Sequence, residues 1–240
     1  MNTLSISERV TRKIERGEFG RLWTYSDFSP LAETAVAAAL SRLVKRGLLL
    51  RIRNGVYYKP RKSRFGPSTP DAASVATAVL KRRGIAAVTT GMPAYNALGL
   101  TSQVSPVLTF AIGRKIATLR TGVLGRIRLR PVTAVRGLKP AERAVLDALR
   151  DLNSIPDASP KESVRRIAEL FRNHKLSFER VVTASLHEPP RVRALVGTIG
   201  TILGEDQALL QKLRSTLNKT TTFKLGLSAY FPEARAWGIR

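Results

Sequence analysis

Apolar residues recur every three or four positions in two segments near the N-terminus, which is the spacing of helices that bury one face. The first segment covers residues 7–16. Its apolar positions are Val10 and Ile14, and Ile6, just before it, continues the same spacing. The second covers residues 33–46, and its apolar positions are Val36, Ala39, Leu40, Leu43 and Val44. A short helix capped by Ser26 is expected between them. The pattern therefore predicts three N-terminal helices.

Two β-prone runs separated by a turn dipeptide follow these helices. Residues 50–53 and 56–59 flank Asn54-Gly55, and Asn-Gly between such runs predicts a two-residue hairpin turn with positive φ. Three helices and a hairpin in this order predict a winged helix-turn-helix. In that fold the third helix enters the major groove of DNA, while the hairpin contacts the backbone or the minor groove.

The rest of the chain combines strand and helix patterns. Residues 107–112, 116–120 and 126–132 are the candidate strands of an antiparallel meander, and the pattern beyond residue 139 is helical. The expected fold class is therefore α+β. An N-terminal winged helix-turn-helix should be followed by a larger mixed domain with a small antiparallel sheet and a C-terminal helical region.

Three prolines and four cations fall within residues 59–70, a composition typical of a linker, which we assign to residues 63–69. The expected domains are a winged helix-turn-helix over residues 1–62 and a mixed α+β domain over residues 70–240. No segment combines the length and apolarity of a membrane span, and no leader peptide is recognisable, so a soluble, cytoplasmic protein without a membrane partner is expected.

The charge of the chain points to a polyanionic partner. The 240 residues carry 41 Lys and Arg against 17 Asp and Glu, a formal net charge of +24. Residues 1–66 hold 14 of these cations and 5 of the acids, so the excess is not confined to one tail. Nucleic acid is the first candidate partner. An acidic protein, an anionic lipid surface and a compositional preference for arginine remain as alternatives.

The polar face of the third helix is the candidate DNA-reading surface. Small side chains there allow close approach to the bases, a serine can donate or accept, and an arginine can reach guanine. The predicted base-facing residues are Thr34, Ala38, Ser41 and Arg42. The remaining predicted DNA contacts, mostly to phosphates, are Lys45, Arg46, Arg51, Arg53, Asn54, Lys59, Arg61 and Lys62.

A second basic surface is predicted on the meander. Arginines alternate with aliphatic residues in 126–130, which indicates a strand with one arginine face. The residues assigned to this surface are Arg114, Lys115, Arg120, Arg126, Arg128 and Arg130. It is either an exposed face that keeps the sheet soluble or a second dock for nucleic acid or an acidic partner.

Residues that carry chemistry are sparse. The chain has no cysteine and two isolated histidines, His174 and His187, so no metal site, cofactor or catalytic residue is predicted. Asp147 and Asp151 lie one helical turn apart and are expected on the surface. Phosphate-binding and hydrolase motifs are not found, and we expect a protein that is not an enzyme.

Three separated motifs resemble a known family. Residues 39–47 (ALSRLVKRG) and 50–57 (LRIRNGVY) are similar to the N-terminal winged helix of AbiEi-type antitoxins, which belong to the type IV abortive-infection toxin–antitoxin systems of bacteria. Residues 91–104 (GMPAYNALGLTSQV) are similar to the segment after the winged helix in that family. In the tail, the similar positions are residues 190–195, Leu217, Asn218, Ala234 and Trp237.

The resemblance implies two roles. The winged helix would bind inverted repeats in its own promoter and repress the operon, as a monomer or weak dimer. The second domain would counter a nucleotidyltransferase-like toxin functionally, with or without direct contact. The residues alone leave a second hypothesis open, an RNA-associated or toxin-binding adaptor that uses the basic face of the meander.

Overall fold

The computed structural model describes residues 4–113, 126–132 and 137–240, apart from the side chains of Lys62 and Arg126. The described residues form two units. The N-terminal unit comprises residues 4–86, and the C-terminal unit comprises the remainder. Each contains helices and strands, so the expected α+β class is confirmed.

Local sequence signals set the ends of the first helices. Helix α1 (Ile6–Arg16) begins at Ser5, whose hydroxyl accepts from the Glu8 N–H while the Glu8 carboxylate accepts from the Ser5 N–H. Strand β1 (Leu22–Thr24) and a 3-10 turn (Tyr25–Phe28) follow, and then helix α2 (Glu33–Lys45). The two long N-terminal helices therefore agree with the apolar periodicity to within one or two residues.

A three-stranded antiparallel sheet completes the first core. Strands β2 (Leu50–Arg53) and β3 (Val56–Tyr58) form the predicted hairpin, and β1 pairs with the other edge of β3. One face of the sheet packs against α1 and α2, in a core that includes Val10, Leu40 and Tyr57. Helix α3 (Ala72–Arg82) packs against β1 and β3. Because both faces are covered, every residue of β3 is buried.

The division between the units differs from the one expected. Residues 63–69 overlap a small hairpin of β4 (Lys62–Ser63) and β5 (Gly66–Pro67), where a linker was predicted. Helix α3 belongs to the N-terminal unit, although the sequence assigned it to the domain after residue 70. The physical reason is that Val56 and Tyr58 are apolar on the face away from α1, and α3 supplies their cover.

The sheet of the C-terminal unit is mixed. Strands β6 (Ala87–Thr90), β7 (Val107–Ile112) and β8 (Arg126–Pro131) lie in that order, with helix α4 (Met92–Ala97) between β6 and β7 in sequence. β6 and β7 are antiparallel, but β7 and β8 are parallel. The expected antiparallel sheet is therefore wrong where β7 and β8 pair directly and in parallel. The separation of β7 and β8 in sequence meets the dozen or so residues that a parallel pair needs.

The candidate strand over residues 116–120 lies outside the described residues. The helices that follow the sheet are α5 (Pro140–Arg150), α6 (Pro160–Arg172), α7 (Phe178–Ser185), α8 (Pro190–Leu203) and α9 (Gln207–Arg214). These five helices enclose the larger apolar core, which also contains Tyr95 from α4 and Trp237 from the tail. Among the described residues, none of the helices has the length and apolarity required to cross a membrane.

Candidate nucleic-acid interface

One side of α2 is polar and exposed. Val36, Ala39, Leu40 and Leu43 are buried, and the residues between them face outward. The exposed side, which we call the α2 face, consists of Thr34, Ala38, Ser41, Arg42, Lys45 and Arg46. Arg42 contacts α1 through a long bond from Nη2 to the Ser7 Oγ, at 3.4 Å. All six predicted residues of this helix therefore share one accessible surface.

A bulge separates the two arginines of the hairpin. Arg51 pairs with Tyr57 and Arg53 pairs with Val56, so Ile52 is the extra residue. Paired residues point to the same face, and the neighbours Tyr57 and Val56 point to opposite faces. Arg51 therefore lies on the side of α1 and α2, and Arg53 lies on the side of α3. Regular alternation without the bulge would have placed both arginines on one face.

The hairpin tip is held from the α3 side. Arg82 Nη1 donates to the carbonyl of Asn54, and the Arg82 guanidinium lies 5.3 Å from the centre of the Tyr25 ring. Gly55 adopts a φ of 71°, and a Cβ there would lie 2.4 Å from Arg82 Nε. The turn therefore favours glycine for its conformation, and a Cβ there would also require the Arg82 side chain to move.

The polar groups on the α2 side of the hairpin are neutral or cationic. Arg51 Nη2 donates to Asn54 Oδ1 at 3.2 Å, and both residues are exposed. Burial raises the pKa of Tyr57 to about 12, assisted by the Tyr25 hydroxyl 3.5 Å away. Tyr57 therefore stays protonated and adds no negative charge beside Arg51.

Lys59 has a structural role, which contradicts its assignment as a phosphate contact. Its Nζ donates to the carbonyls of Ile14, Glu15 and Gly17 at 2.9, 2.8 and 2.6 Å. These three bonds use all the donors of the ammonium group and satisfy free carbonyls at the C-terminus of α1. The charge also opposes the negative end of the helix dipole. Lys59 therefore joins β3 to α1.

The last two predicted contacts lie near the second hairpin. Arg61 is exposed, and its backbone N–H donates to Ser68 Oγ at 2.9 Å. The side chain of Lys62 lies outside the described residues. At the tip, Phe65 is 86% exposed, with the Arg64 guanidinium 4.8 Å from its ring centre. The region predicted to be a linker, residues 63–69, therefore contributes to a basic hairpin with an exposed aromatic ring.

A further group of cations was not singled out by the sequence. It lines a shallow cavity of about 370 Å³ that is also bordered by Trp23. The group consists of Arg9, Arg12, Lys13, Arg16 and Arg21. Four of these residues lie on α1 at intervals of three and four, the periodicity that could have revealed them. Besides the α2 face, they form another basic surface of the N-terminal unit, on α1 and just before β1.

Asp27 offsets part of this charge. It accepts from Lys81 Nζ at 3.2 Å and lies 3.9 Å from Arg21 Nη2. Burial alone would raise the pKa of Asp27, but hydrogen bonds from the backbone and hydroxyl of Thr24, with the Lys81 ammonium, hold it below its usual value. Asp27 is therefore ionised at neutral pH and serves to fix the 3-10 turn.

The arginine face of β8 is largely occupied by packing. Arg130 Nη2 binds Asp151 Oδ2 at 2.6 Å, and the register places Arg130 on the same face as Ala111 and Val88. Helix α5 covers that face, so the expectation of an exposed arginine row fails at Arg130. Arg128 is exposed. Arg114, Lys115 and Arg120 lie outside the described residues, as does the side chain of Arg126.

The carboxylates expected on the surface of α5 are instead tied into the interior. Asp147 is fully buried, accepting from Thr90 Oγ1 at 2.6 Å and from Arg143 Nη2 at 2.9 Å. The same Arg143 atom lies 2.9 Å from Glu188 Oε1. Asp151, which is half-buried, binds Arg130. Arg143 and Asp147 lie four residues apart on α5, but the other partners, Thr90, Glu188 and Arg130, lie on separate elements and could not be paired from the sequence.

Glu142, another buried carboxylate, ties α5 to α7. Glu142 accepts from the Arg180 guanidinium and from the backbone N–H groups of Lys139 and Ser177. Burial alone would raise the pKa of Glu142, but these donors outweigh it and hold the pKa below its usual value. Its contribution to stability is therefore present above the ordinary glutamate pKa and is lost as the pH falls through the lowered value.

The described residues contain no cluster of three His, Asp or Glu side chains placed to bind a metal ion. His174 and His187 are both exposed. The buried carboxylates have arginine or hydroxyl partners, and these contacts join α5 to neighbouring elements.

Comparison with known proteins yields a partial match to one family model and a similar fold. The model of a family of unknown function, DUF6088, matches residues 9–122. No curated protein matches the sequence. The chain is similar to the crystal structure of the RV2827C protein from Mycobacterium tuberculosis, with a TM-score of 0.53 and 11% identity, over 97% of this chain and 89% of that one. At this identity the likeness establishes a shared fold and nothing about activity.

Proposed function

We propose that the protein is a DNA-binding autorepressor and antitoxin of the AbiEi type. In this proposal the N-terminal unit acts as a winged helix-turn-helix, with α2 as the recognition helix and the β2–β3 hairpin as the wing. The α2 face carries the proposal. It combines small residues, Ser41 and three cations on one accessible side of a helix anchored by its opposite side.

The composition of this face fits a duplex. Ala38 and Thr34 are small enough to let the helix axis approach base edges, while Ser41 and Arg42 can hydrogen-bond there. Lys45 and Arg46 lie at the C-terminal end, where they can reach phosphates. Arg51 lies on the same side of the sheet as α1 and α2 and is the wing residue best placed to add a phosphate contact.

The proposal predicts separable effects of two substitutions on DNA affinity. Arg42→Ala should weaken binding to the promoter duplex by about 1–3 kcal/mol, roughly 5- to 150-fold, and reduce the preference over a scrambled duplex. Lys45→Ala should weaken both duplexes alike and lower the salt slope by about one. Fluorescence anisotropy with both duplexes across a salt series measures these quantities.

Arg172→Ala supplies the matched control, because it removes one exposed cation from α6 in the other unit. Its effect on both duplexes should be small. If wild-type protein does not distinguish its own upstream duplex from scrambled DNA at near-physiological salt, the repressor proposal is wrong. If Arg42→Ala and Arg172→Ala behave alike, the α2 face is not the reading surface.

The antitoxin role rests on the resemblance of three motifs and has its own test. The gene next to this one should encode a nucleotidyltransferase-like protein that arrests growth when expressed alone. Co-expression of the full chain should restore growth, and Arg42→Ala should retain rescue while losing repression of a promoter reporter. Growth arrest that persists despite co-expression at equal levels would contradict the role.

The adaptor hypothesis for the basic face of β8 gains no support from the contacts. Arg130 is bound to Asp151, and among the described side chains of that face Arg128 is the exposed arginine.

A further inference from the structure

A large basic cavity lies in the C-terminal unit, at the start of α8 and the end of α9. Its volume is about 1000 Å³, and its wall includes residues 216–223 and 235–240 in part. Five cations line it, namely Arg191, Arg214, Lys219, Arg235 and Arg240. No Asp or Glu is among the described residues of its wall. We refer to it as the C-terminal cavity.

The five cations come from separate segments of the chain. Arg191 is in the first turn of α8, Arg214 ends α9, and Lys219, Arg235 and Arg240 belong to the tail. A single helix face could collect cations by solvation alone, but convergence from α8, α9 and the tail requires the fold. Bringing like charges together is unfavourable unless an anion offsets the repulsion.

Two of these arginines are held in position by neutral groups. Arg191 Nη2 donates to the carbonyl of Arg150, and the Arg214 guanidinium stacks 4.8 Å from the centre of the Trp237 ring. Within the part of the chain that the structure describes, the three tail cations have no acidic partner. Their charges are therefore available to a ligand.

The tail that forms the wall is internally bonded. The Phe223 N–H donates to the Gly238 carbonyl at 2.8 Å, and the Arg240 N–H donates to the Phe223 carbonyl at 2.9 Å. Ile239 and Trp237 anchor the segment in the core. A site built on ordered backbone loses little conformational entropy when a ligand binds.

We propose that the C-terminal cavity binds a phosphate-bearing ligand with at least two phosphate groups. Four of the five cations are arginines, whose forked donors match phosphate oxygens. The volume is at the upper end of the range for small-molecule sites, which is enough for a nucleotide. A free nucleoside polyphosphate and the backbone of a single nucleic-acid strand share this chemistry, and the test separates them.

Isothermal titration calorimetry of the full chain tests the proposal with three probes, ATP, inorganic pyrophosphate and a ten-nucleotide single strand. At least one probe should bind with a stoichiometry near one. The pair Lys219→Gln and Arg235→Gln, made together, should weaken that binding at least about tenfold, because each lost cation removes a charge-assisted hydrogen bond. Circular dichroism checks that the variant is folded.

The matched control removes two exposed cations of α6, Arg165 and Arg172, by the same substitutions. It should change affinity less than about twofold, since neither residue lines the cavity and exposed charges are screened by salt. ATP or pyrophosphate binding more tightly than the oligonucleotide identifies a free polyphosphate, and the reverse order identifies a strand. Failure of all three probes to bind, or equal losses in the two double variants, overturns the proposal.

The outcome is independent of the proposed repressor function. The Lys219→Gln and Arg235→Gln double variant should retain the preference for the promoter duplex that Arg42→Ala loses. Conversely, Arg42→Ala should retain the affinity for ATP, pyrophosphate or oligonucleotide. A loss of cavity binding in Arg42→Ala protein contradicts the assignment of the ligand to this cavity.

Discussion

Replacing Arg143 by methionine should lower the free energy of unfolding by about 3–5 kcal/mol, the cost of removing one partner from a buried ionic cluster. Arg143 is 1% exposed, and its Nη2 lies 2.9 Å from both Asp147 Oδ1 and Glu188 Oε1. Without the guanidinium, the buried carboxylates of Asp147 and Glu188 lose a shared hydrogen-bond donor and a compensating positive charge. Urea unfolding followed by circular dichroism measures the loss.

Two comparisons make this result specific. Arg143→Lys keeps a positive charge but loses the planar fork, so its loss of stability should be smaller than that of Arg143→Met. Arg128→Met removes an exposed arginine from β8 in the same unit and should change stability by no more than about 0.5 kcal/mol. Equal effects for Arg128→Met and Arg143→Met would show that the buried cluster does not support the fold.

Trp237→Ala should cost about 3–5 kcal/mol, the usual loss when a large buried aromatic side chain is truncated. The ring is 3% exposed, and its Nε1 donates to Thr201 Oγ1 at 2.9 Å. It lies against α8 where the helix has a glycine. Tyr230→Ala, which removes a half-exposed aromatic ring from the tail, is the control and should cost much less in the same urea titration.

The contact between Trp237 and Gly197 can be measured by a double-mutant cycle. A Cβ on Gly197 would lie 2.3 Å from two ring atoms of Trp237, so Gly197→Ala should destabilise by about 1–3 kcal/mol through overpacking. In a Trp237→Ala background the clash is gone, and alanine should be favoured over glycine by about 1 kcal/mol in the helix interior. The same effect of Gly197→Ala in both backgrounds would refute the contact.

Much of the N-terminal unit follows from local signals. The stripe at Val36, Leu40 and Leu43 predicts which side of α2 is buried, and therefore which side is free for a partner. Asn54-Gly55 predicts the hairpin turn. Gly55 has the expected positive φ, while the bulge at Ile52 could not be foreseen, because it depends on which residues of β3 the arginines oppose.

The candidate site was predicted less completely than the helices that carry it. Lys59 looks like any other cation in the sequence, yet its three bonds to the end of α1 join residues more than forty positions apart. Arg130 and Asp147 are similar cases, since each side chain is held in place by a partner on a different element. The exposure of a side chain and its ion pairs depend on the folded chain, so they cannot be predicted from alternation along one strand.

The sequence by itself determined the charge, the α+β class and the polar side of α2, because these depend on composition and on spacings within one or two helical turns. Only the tertiary structure decided that β7 and β8 run parallel, that α3 joins the N-terminal unit, and that cations from α8, α9 and the tail meet in one cavity. Those features depend on contacts between residues distant in the chain, where packing and charge compensation choose among partners of equal local propensity.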